Sequence, residues 1–342
     1  MCIRDSNKII FIFCLENHLN LDIVCSLKVI YHNYMSVYTI LKNKDVRKIL
    51  SSYDIGTLQS FRGISEGITN TNYFINTSRV KYVLTIFEDI KKSKVTKYLK
   101  LMNFFSSDGL CSPEIMSTKT GDILTLVKNK PCSIMKKLSG KTVENTSNQL
   151  CKSLGGLIGK FHISGMKLKT NILNSRDVVW VEKTISKIKN HITSDQLKLL
   201  KHSHRIFEKL FNLDLPYGVI HSDLFRDNVL ASKNKITGII DYYYSFNGPL
   251  IYELGVIAND WCINKDGEIH QGKFSNLISS YNSIREISKK EMKYMNNAMI
   301  AAALRFYLSR LTDMIFPKVG EITHIKDPNI FENILLKRIE QK

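Results

Sequence analysis

The most informative stretch of the sequence is residues 219–228, VIHSDLFRDN, which is followed by GIID at residues 238–241. Apolar residues come before the polar ones in both segments, so we expect two short strands, one leading into a loop that carries Asp223 and one ending at Asp241. Asn228 follows Asp223 by five positions, and Asp241 follows Asn228 by thirteen. The pattern therefore predicts two carboxylates and an amide gathered where neighbouring strands end.

This spacing is that of the catalytic loop and the metal-binding aspartate of the protein-kinase fold. Phosphoryl transfer requires an aspartate that orients the acceptor hydroxyl and takes its proton, and we assign that role to Asp223. It also requires hard oxygen ligands for Mg²⁺, which Asn228 and Asp241 supply. His221 is expected to brace the loop by hydrogen bonds. The competing interpretation, two unrelated aspartates at element ends, does not explain why all the spacings coincide.

The residues before Lys130 predict a small sheet with one packed helix. We expect helices over residues 43–53 and 93–107 and strands over 57–61, 73–77, 82–87 and 123–127, with another strand near Ile115. After Pro131 the pattern becomes mostly helical. The expected helices cover 144–163, 178–191, 196–211, 251–261 and 289–314, and the expected short strands cover 218–220, 229–231 and 236–240.

These halves predict an α+β, protein-kinase-like bilobal fold with a small β-rich N-lobe and a mostly helical C-lobe. The N-lobe, residues 35–132, would bind the nucleotide. The C-lobe, residues 133–330, would carry catalysis and acceptor binding, with a hinge near 133–139. Residues 331–342 would form a C-terminal tail.

A polar turn in the N-lobe occupies the place where a kinase covers the ATP phosphates. Residues 63–72 read GISEGITNTN and lie between the first two expected strands. Glycine permits close backbone approach to a phosphate, and asparagine tolerates unusual backbone angles and offers amide donors. The alternative is a plain hairpin turn. The expected nucleotide-binding residues are Gly63, Glu66, Gly67, Asn70, Asn72 and Thr85.

The start of the chain, residues 1–34, differs from the rest. It lacks a helical or strand period, and its apolar stretch ends at Glu16 without a small-residue cleavage site of the kind that follows a signal peptide. The residues from Met35 onward read as the start of a folded protein. We therefore expect residues 1–34 to be a non-native or disordered extension.

The charge balance raises a different class of protein. Lys and Arg number 49 against 31 acidic residues, for a net charge of +18. A nucleic-acid-binding protein is the alternative that this charge suggests, but the basic residues are spread over many helices without an interleaved aromatic pattern. The seven cysteines form no C-x-x-C pair, which argues against a zinc site and favours a reducing, cytoplasmic setting. No apolar run reaches the length of a membrane span.

The chain resembles bacterial homoserine kinases of the aminoglycoside-phosphotransferase-like type from about Ser36 to Lys326. The matching segments are SVYT at 36–39, YDIG at 53–56, GISEGITNTN at 63–72, YVLTIFE at 82–88, GVIHSDLF at 218–225, DYYY at 241–244 and AALRFYLSRL at 302–311. Protein kinases carry a lysine where this chain has Thr85, and threonine at this point is shared with the resembled family. Two departures are Arg226, where a proline is common, and Glu253, where an aspartate is usual and whose extra methylene puts its bracing role in doubt.

The resemblance implies ATP-dependent phosphorylation of the L-homoserine hydroxyl, with ATP as co-substrate and Mg²⁺ as cofactor, in threonine biosynthesis. A kinase of another small amino alcohol, choline-like or an aminoglycoside, shares the same phosphoryl-transfer residues and stays open. A substrate carboxylate favours arginine, and Arg305 lacks a carboxylate at i+3 or i+4, so we expect it to bind the acceptor. Asp260 is the candidate for the acceptor ammonium. We expect no nucleic-acid or membrane partner, and the sequence does not indicate an oligomeric state.

Overall fold

The N-lobe is a five-stranded antiparallel sheet. The computed structural model describes residues 39–64, 70–317 and 326–341, so the expected extension over 1–34 lies outside the described residues. The strands are β1 Leu58–Ile64, β2 Asn70–Thr77, β3 Lys81–Phe87, β4 Thr125–Val127 and β5 Lys130–Lys136. Their order in the sheet is β1-β2-β3-β5-β4. Helix α1, Asn43–Leu50, covers one face of this sheet.

Side-chain alternation gives the sheet two different faces. Tyr73 and Ile75 of β2 are buried with α1 in one apolar cluster. Asn72 and Phe74 lie on the opposite face because successive side chains of a strand alternate. Across β2 and β3, Asn72 lies opposite Thr85. The predicted nucleotide residues of the two strands therefore share the face that points away from α1.

The sheet extends four residues past the lobe boundary expected at 132, because β5 runs to Lys136. Pro131 had suggested that the sheet ends there. Proline is tolerated because the described β3 pairing reaches only Cys132, and Pro131 lies opposite Leu126 of the short strand β4.

Helix α2, Lys92–Ser107, joins the N-lobe sequence to the core of the C-lobe. The expected stripe of Val95, Leu99, Met102 and Phe105 is buried. The ring of Phe105 stacks on Phe161 of the C-lobe with centroids 3.9 Å apart. This helix therefore belongs to the larger apolar core.

The C-lobe is helical with two small sheets. Its helices are α3 Asn148–Lys167, α4 Val178–Ile188, α5 Ser194–Phe211, α6 Leu250–Trp261, α7 Gln271–Asn282, α8 Lys289–Lys293, α9 Met295–Ile315 and α10 Asn329–Glu340. The strands are β6 Lys141–Thr142, β7 Tyr217–Ile220, β8 Val229–Ser232, β9 Lys235–Ile239 and β10 Phe246–Pro249. They form the sheets β6-β8-β9 and β7-β10.

Close packing on α3 fixes the strand that carries the expected catalytic loop. A Cβ added at Gly165 of α3 would clash with the carbonyl of Val219 on β7. Glycine is needed here because only a missing side chain lets the helix approach the strand backbone so closely.

Several C-lobe expectations need correction. The segment 331–342 is not a tail, because α10 covers most of it and buries Phe331, Ile334, Leu335 and Arg338. Helix α7 was not expected from the sequence. The single helix expected over 289–314 is interrupted at Tyr294, where α8 ends and α9 begins. None of the helices in the described ranges is both long and apolar enough to cross a membrane.

Candidate active site

The catalytic loop begins where β7 ends. Asn228 lies in a 3₁₀ turn and bends back on the loop, since its Nδ2 donates to the Asp223 carbonyl at 2.7 Å and to Asp223 Oδ2 at 3.0 Å. The indole Nε1 of Trp261 donates to the Leu224 carbonyl at 3.0 Å. The orientation of the Asp223 carboxylate is therefore set by hydrogen bonds rather than left to rotate.

His221 ties this loop to the strand that precedes Asp241. Its Nε2 lies 2.9 Å from the carbonyl oxygen of Ile240 and must donate to it, which leaves Nδ1 to accept from the Asp223 amide at 3.3 Å. The ring is fully buried, and burial lowers the pKa of His221. A neutral imidazole with these two hydrogen bonds is suited to bracing the loop, the role that the sequence predicts.

Glu253 of α6 holds the backbone of the same loop. Its carboxylate accepts from the His221 amide at 3.0 Å and from the Ser222 amide at 2.6 Å. His162 of α3 donates to it from Nε2 at 3.1 Å. Burial alone would raise the pKa of Glu253, but these bonds and the nearby histidines outweigh burial and lower it. The doubt about its longer side chain is thereby answered, because glutamate reaches the loop.

Asp241 has the opposite environment. It has a left-handed backbone, with φ 66° and ψ 59°, immediately after the strand end. Burial and the negative charges of Asp223 and Asp227 raise its pKa to about 7. The backbone amide of Ile240 donates to the Asn228 carbonyl at 3.0 Å, so the two expected metal ligands lie on adjoining chain segments.

The donor set fits a nucleotide-bound Mg²⁺. Among the residues that the structure describes, no group of three or more His, Cys, Asp or Glu side chains could hold a metal by itself. Mg²⁺ in kinases is typically held by one or two protein oxygens, with phosphate oxygens and water completing its shell. Asn228 and Asp241 match that arrangement, and a cation would relieve the crowding of negative charge around Asp241.

Arg305 was assigned to the acceptor because it has no carboxylate at i+3 or i+4, but the structure gives it a carboxylate partner elsewhere in the chain. It is buried on α9, and its guanidinium Nη1 donates to Asp223 Oδ1 at 3.0 Å. The guanidinium also stacks on the rings of Phe306 and Tyr244, at 3.8 and 4.8 Å from their centroids. The sequence search considered only partners one helical turn away, whereas the actual partner is 82 residues distant. Arg305 already has a carboxylate, and it belongs to Asp223.

Asp260 is likewise engaged elsewhere. It accepts from the backbone amide of Arg226 at 2.8 Å and from the Arg226 guanidinium at 3.1 to 3.2 Å. Burial raises the pKa of Asp260 although Arg226 opposes the shift. Arg226, which stands where a proline is common in the resembled family, thus pairs with Asp260. Asp260 fixes the 3₁₀ turn and does not offer a free carboxylate to an ammonium group.

The N-lobe places some of the expected nucleotide residues together. The Thr85 hydroxyl donates to Asn72 Oδ1 at 2.7 Å, and Asn72 Nδ2 reaches the Asn70 carbonyl at 3.3 Å. Gly63 pairs with Tyr73 at the end of β1. Glu66 and Gly67 lie outside the described residues.

Cations that the sequence reasoning did not single out lie on the sheet face turned away from α1. Arg62 and Lys137 approach the ring of Phe74, at 5.2 and 5.3 Å from its centroid. Arg62 and Phe74 are paired across β1 and β2. Arg62 follows Phe61, which packs on the α1 side of the sheet, and this alternation was the signal that could have placed Arg62 on the opposite face.

Comparison with known proteins agrees with this geometry. Residues 60–287 match the phosphotransferase enzyme family. The chain belongs to this family. It is 36% identical to a homoserine kinase of Methylobacillus flagellatus over 88% of this chain and 94% of that protein. It is 33% identical to a homoserine kinase of Neisseria meningitidis over 88% of this chain and 99% of that protein.

Solved structures share the fold of this chain at low sequence identity. An amicoumacin kinase, solved with AMP-PNP and Ca²⁺, superposes with a TM-score of 0.66 at 16% identity, covering 88% of this chain and 93% of its own. A choline/ethanolamine kinase family protein from Mesorhizobium loti gives 0.62 at 14% identity, covering 87% and 93%. The expected bilobal, protein-kinase-like fold is confirmed.

Proposed function

We propose that the protein is a homoserine kinase, which transfers the γ-phosphoryl group of ATP to the hydroxyl of L-homoserine and forms O-phospho-L-homoserine for threonine biosynthesis. The observation that carries the reaction class is the arrangement of Asp223, held by Asn228 and Arg305 beside Asp241. The relatives named homoserine kinase, which this chain matches over nearly their full length, support the choice of acceptor.

Asp223 acts on the acceptor hydroxyl. One carboxylate oxygen receives Arg305 and the other receives Asn228, and each keeps a lone pair for a further donor. The acceptor hydroxyl donates to one of these lone pairs. Its proton moves to Asp223 as its oxygen bonds to the γ-phosphorus, while the bond from that phosphorus to the β,γ-bridging oxygen breaks and ADP leaves. Arg305 and Asn228 prevent the carboxylate from turning away, which contributes the orientation that an in-line attack needs.

Asn228 and Asp241 would hold Mg²⁺, which when bound neutralises charge on the phosphate oxygens. Asn72 and Thr85 are proposed to line the phosphate side of the cleft together with Gly63 and Asn70. Glu66 and Gly67, which lie between them in the sequence, are proposed to bind the nucleotide as well. A cytoplasmic location, the lobe boundaries and the absence of a nucleic-acid partner stay predictions.

An ATP-consumption assay with L-homoserine, L-serine, L-threonine, choline and kanamycin tests the proposal. We expect L-homoserine to give the highest kcat/KM. The Asp223→Asn variant should lose about 10²–10⁴-fold in kcat while it still binds ATP, because a positioned base contributes roughly that factor. Preferred turnover of choline or kanamycin would favour the amino-alcohol alternative, and near wild-type kcat in the variant would remove Asp223 from the reaction.

A further inference from the structure

A row of four side chains leads away from the Asp223 carboxylate. Arg305 contacts Asp223 and lies 4.8 Å from the centroid of the Tyr244 ring. Arg176, in the segment before α4, lies 5.7 Å from the same centroid and 4.6 Å from that of Trp180. The order Arg305, Tyr244, Arg176 and Trp180, which we name the arginine–tyrosine row, therefore links the catalytic carboxylate to a second guanidinium.

The row is anchored to the catalytic loop and to α4. Ser222, next to Asp223, donates from its hydroxyl to the Tyr244 carbonyl at 2.7 Å. Asn174 accepts from the Arg176 amide at 2.8 Å, and Asp177 caps α4 by accepting from the Trp180 amide at 2.8 Å. Arg176 therefore extends from a backbone that local hydrogen bonds hold in place.

The Arg176 guanidinium lacks a carboxylate partner among the residues that the structure describes. Its Nε is buried and has no hydrogen-bond partner there. The two rings cover it, but an aromatic face offers no hydrogen-bond acceptor of comparable strength. The side chain as a whole is only half-buried, and its terminal nitrogens are neither buried nor hydrogen-bonded within the described residues. An anionic ligand at these nitrogens would give the guanidinium the charged partner that it lacks.

The two arginines of the row are thus in different states. Arg305 has an anionic partner in the protein, whereas Arg176 does not. We infer that Arg176 binds the carboxylate of the amino-acid acceptor and so selects amino acids over amino alcohols that lack this group. This inference rests on the proposed homoserine kinase function and identifies the residue that sets its acceptor class.

The chemistry of the acceptor matches the row. A guanidinium binds a carboxylate through two parallel hydrogen bonds, which fix orientation as well as position. In L-homoserine the carboxylate carbon is about 5 Å from the hydroxyl oxygen when the chain is extended. With its carboxylate at Arg176, the acceptor would lie beside the row and extend its hydroxyl towards Asp223.

The test compares L-homoserine with 3-amino-1-propanol, which keeps the ammonium and the hydroxyl but has no carboxylate. In Arg176→Ala, kcat/KM for L-homoserine should fall by about 10- to 100-fold through KM, the loss expected for a charge-assisted pair. The KM for ATP and the inhibition constant of 3-amino-1-propanol against L-homoserine should stay within about twofold of wild type. Arg176→Lys should recover part of the loss, since an ammonium cannot form the planar fork.

Arg205→Ala on the exposed face of α5 is the matched control for loss of an arginine, and it should leave every constant unchanged. An unchanged homoserine KM in Arg176→Ala would overturn the inference. An equal weakening of homoserine and 3-amino-1-propanol would also overturn it, because it would show a general effect on the site. If the wild-type enzyme did not phosphorylate L-homoserine at all, the proposed function would fail first, and the panel of acceptors would show it.

Discussion

Glu253 is fully buried and Asp241 half-buried beside the same loop, and their surroundings shift the two carboxylate pKa values in opposite directions. Glu253 is met by two backbone amides and by His162, and its pKa is lowered. Burial and the negative charges of Asp223 and Asp227 raise the pKa of Asp241 to about 7. The comparison teaches that a buried carboxylate surrounded by donors holds the fold, whereas a carboxylate crowded by other carboxylates is suited to bind a cation.

The difference also separates stability from activity. A satisfied buried charge is destabilising to remove because its former partners are left unpaired. A partly buried charge that is crowded by like charges is destabilising to keep, and proteins retain such groups at functional sites. The two positions should therefore respond in opposite ways to the same chemical change, from carboxylate to amide.

The largest effect is expected from Asp241→Asn on catalysis. The amide keeps one oxygen but loses the negative charge that would hold Mg²⁺, and metal charge stabilisation contributes several kcal/mol. We expect kcat/KM to fall by about 10³-fold, since each 1.36 kcal/mol is a factor of ten. A Mg²⁺ titration at fixed ATP should show weaker half-saturation, and unchanged half-saturation would place the metal elsewhere.

The same variant should be more stable than wild type in the absence of metal. Because the pKa of Asp241 is about 7 in the folded protein and close to 4 when unfolded, the folded state binds more protons between these values. Wild-type stability therefore falls as pH rises through this window, and the penalty is fully present above pH 7. In EDTA at pH 8, Asp241→Asn should raise Tm by about 2–4 °C, whereas at pH 4 the two proteins should melt together.

Glu253→Gln should reverse that pattern. The new amide group would face a backbone N–H or His162, so at least one buried donor loses its acceptor. We expect the free energy of unfolding to fall by about 2–4 kcal/mol, measured by urea denaturation. Glu286→Gln, at an exposed position, is the matched control and should be close to neutral. If Glu253→Gln and Glu286→Gln were equally stable, Glu253 would not hold the fold in the way described for a carboxylate surrounded by donors.

The smallest effect is expected at Asp260, which lies between the two extremes. Burial raises its pKa, but Arg226 supplies donors. Asp260→Asn keeps an oxygen for the Arg226 amide and loses only the charge, so the free energy of unfolding should fall by about 1 kcal/mol. The KM for L-homoserine should not change. A tenfold rise in this KM would return Asp260 to the acceptor site.

The catalytic loop could be predicted from the sequence because its residues are close together along the chain. His221, Asp223, Asn228 and Asp241 are all reached by counting short spacings and by recognising the apolar strands before them. The match to the phosphotransferase family and the bilobal fold confirm the family and the fold inferred from those spacings, and the roles of the four residues stay predictions.

The partners of the loop could not be found in the same way. Arg305 lies 82 residues from Asp223, and Asp260 lies 34 residues from Arg226. Only the tertiary fold decides that these charges meet. Arg176 had no signal at all, because a single arginine in a connecting segment looks like any solvated side chain. Helix α10 is different, since the spacing of Phe331, Ile334, Leu335 and Arg338 is that of one helical face.

The position of α10 has a consequence for how the protein is made. The Phe331 ring packs edge-on against Phe225 of the catalytic loop, at 5.9 Å between centroids, and both rings contact Phe306. A ribosome adds about 5–20 residues per second, so the loop emerges roughly 5–20 s before the helix that completes its aromatic support. Until then Asp223 lies in a loop that lacks the packing of Phe331 against Phe225. The complete site therefore forms late in translation, well after the segment that contains Asp223 has been synthesised.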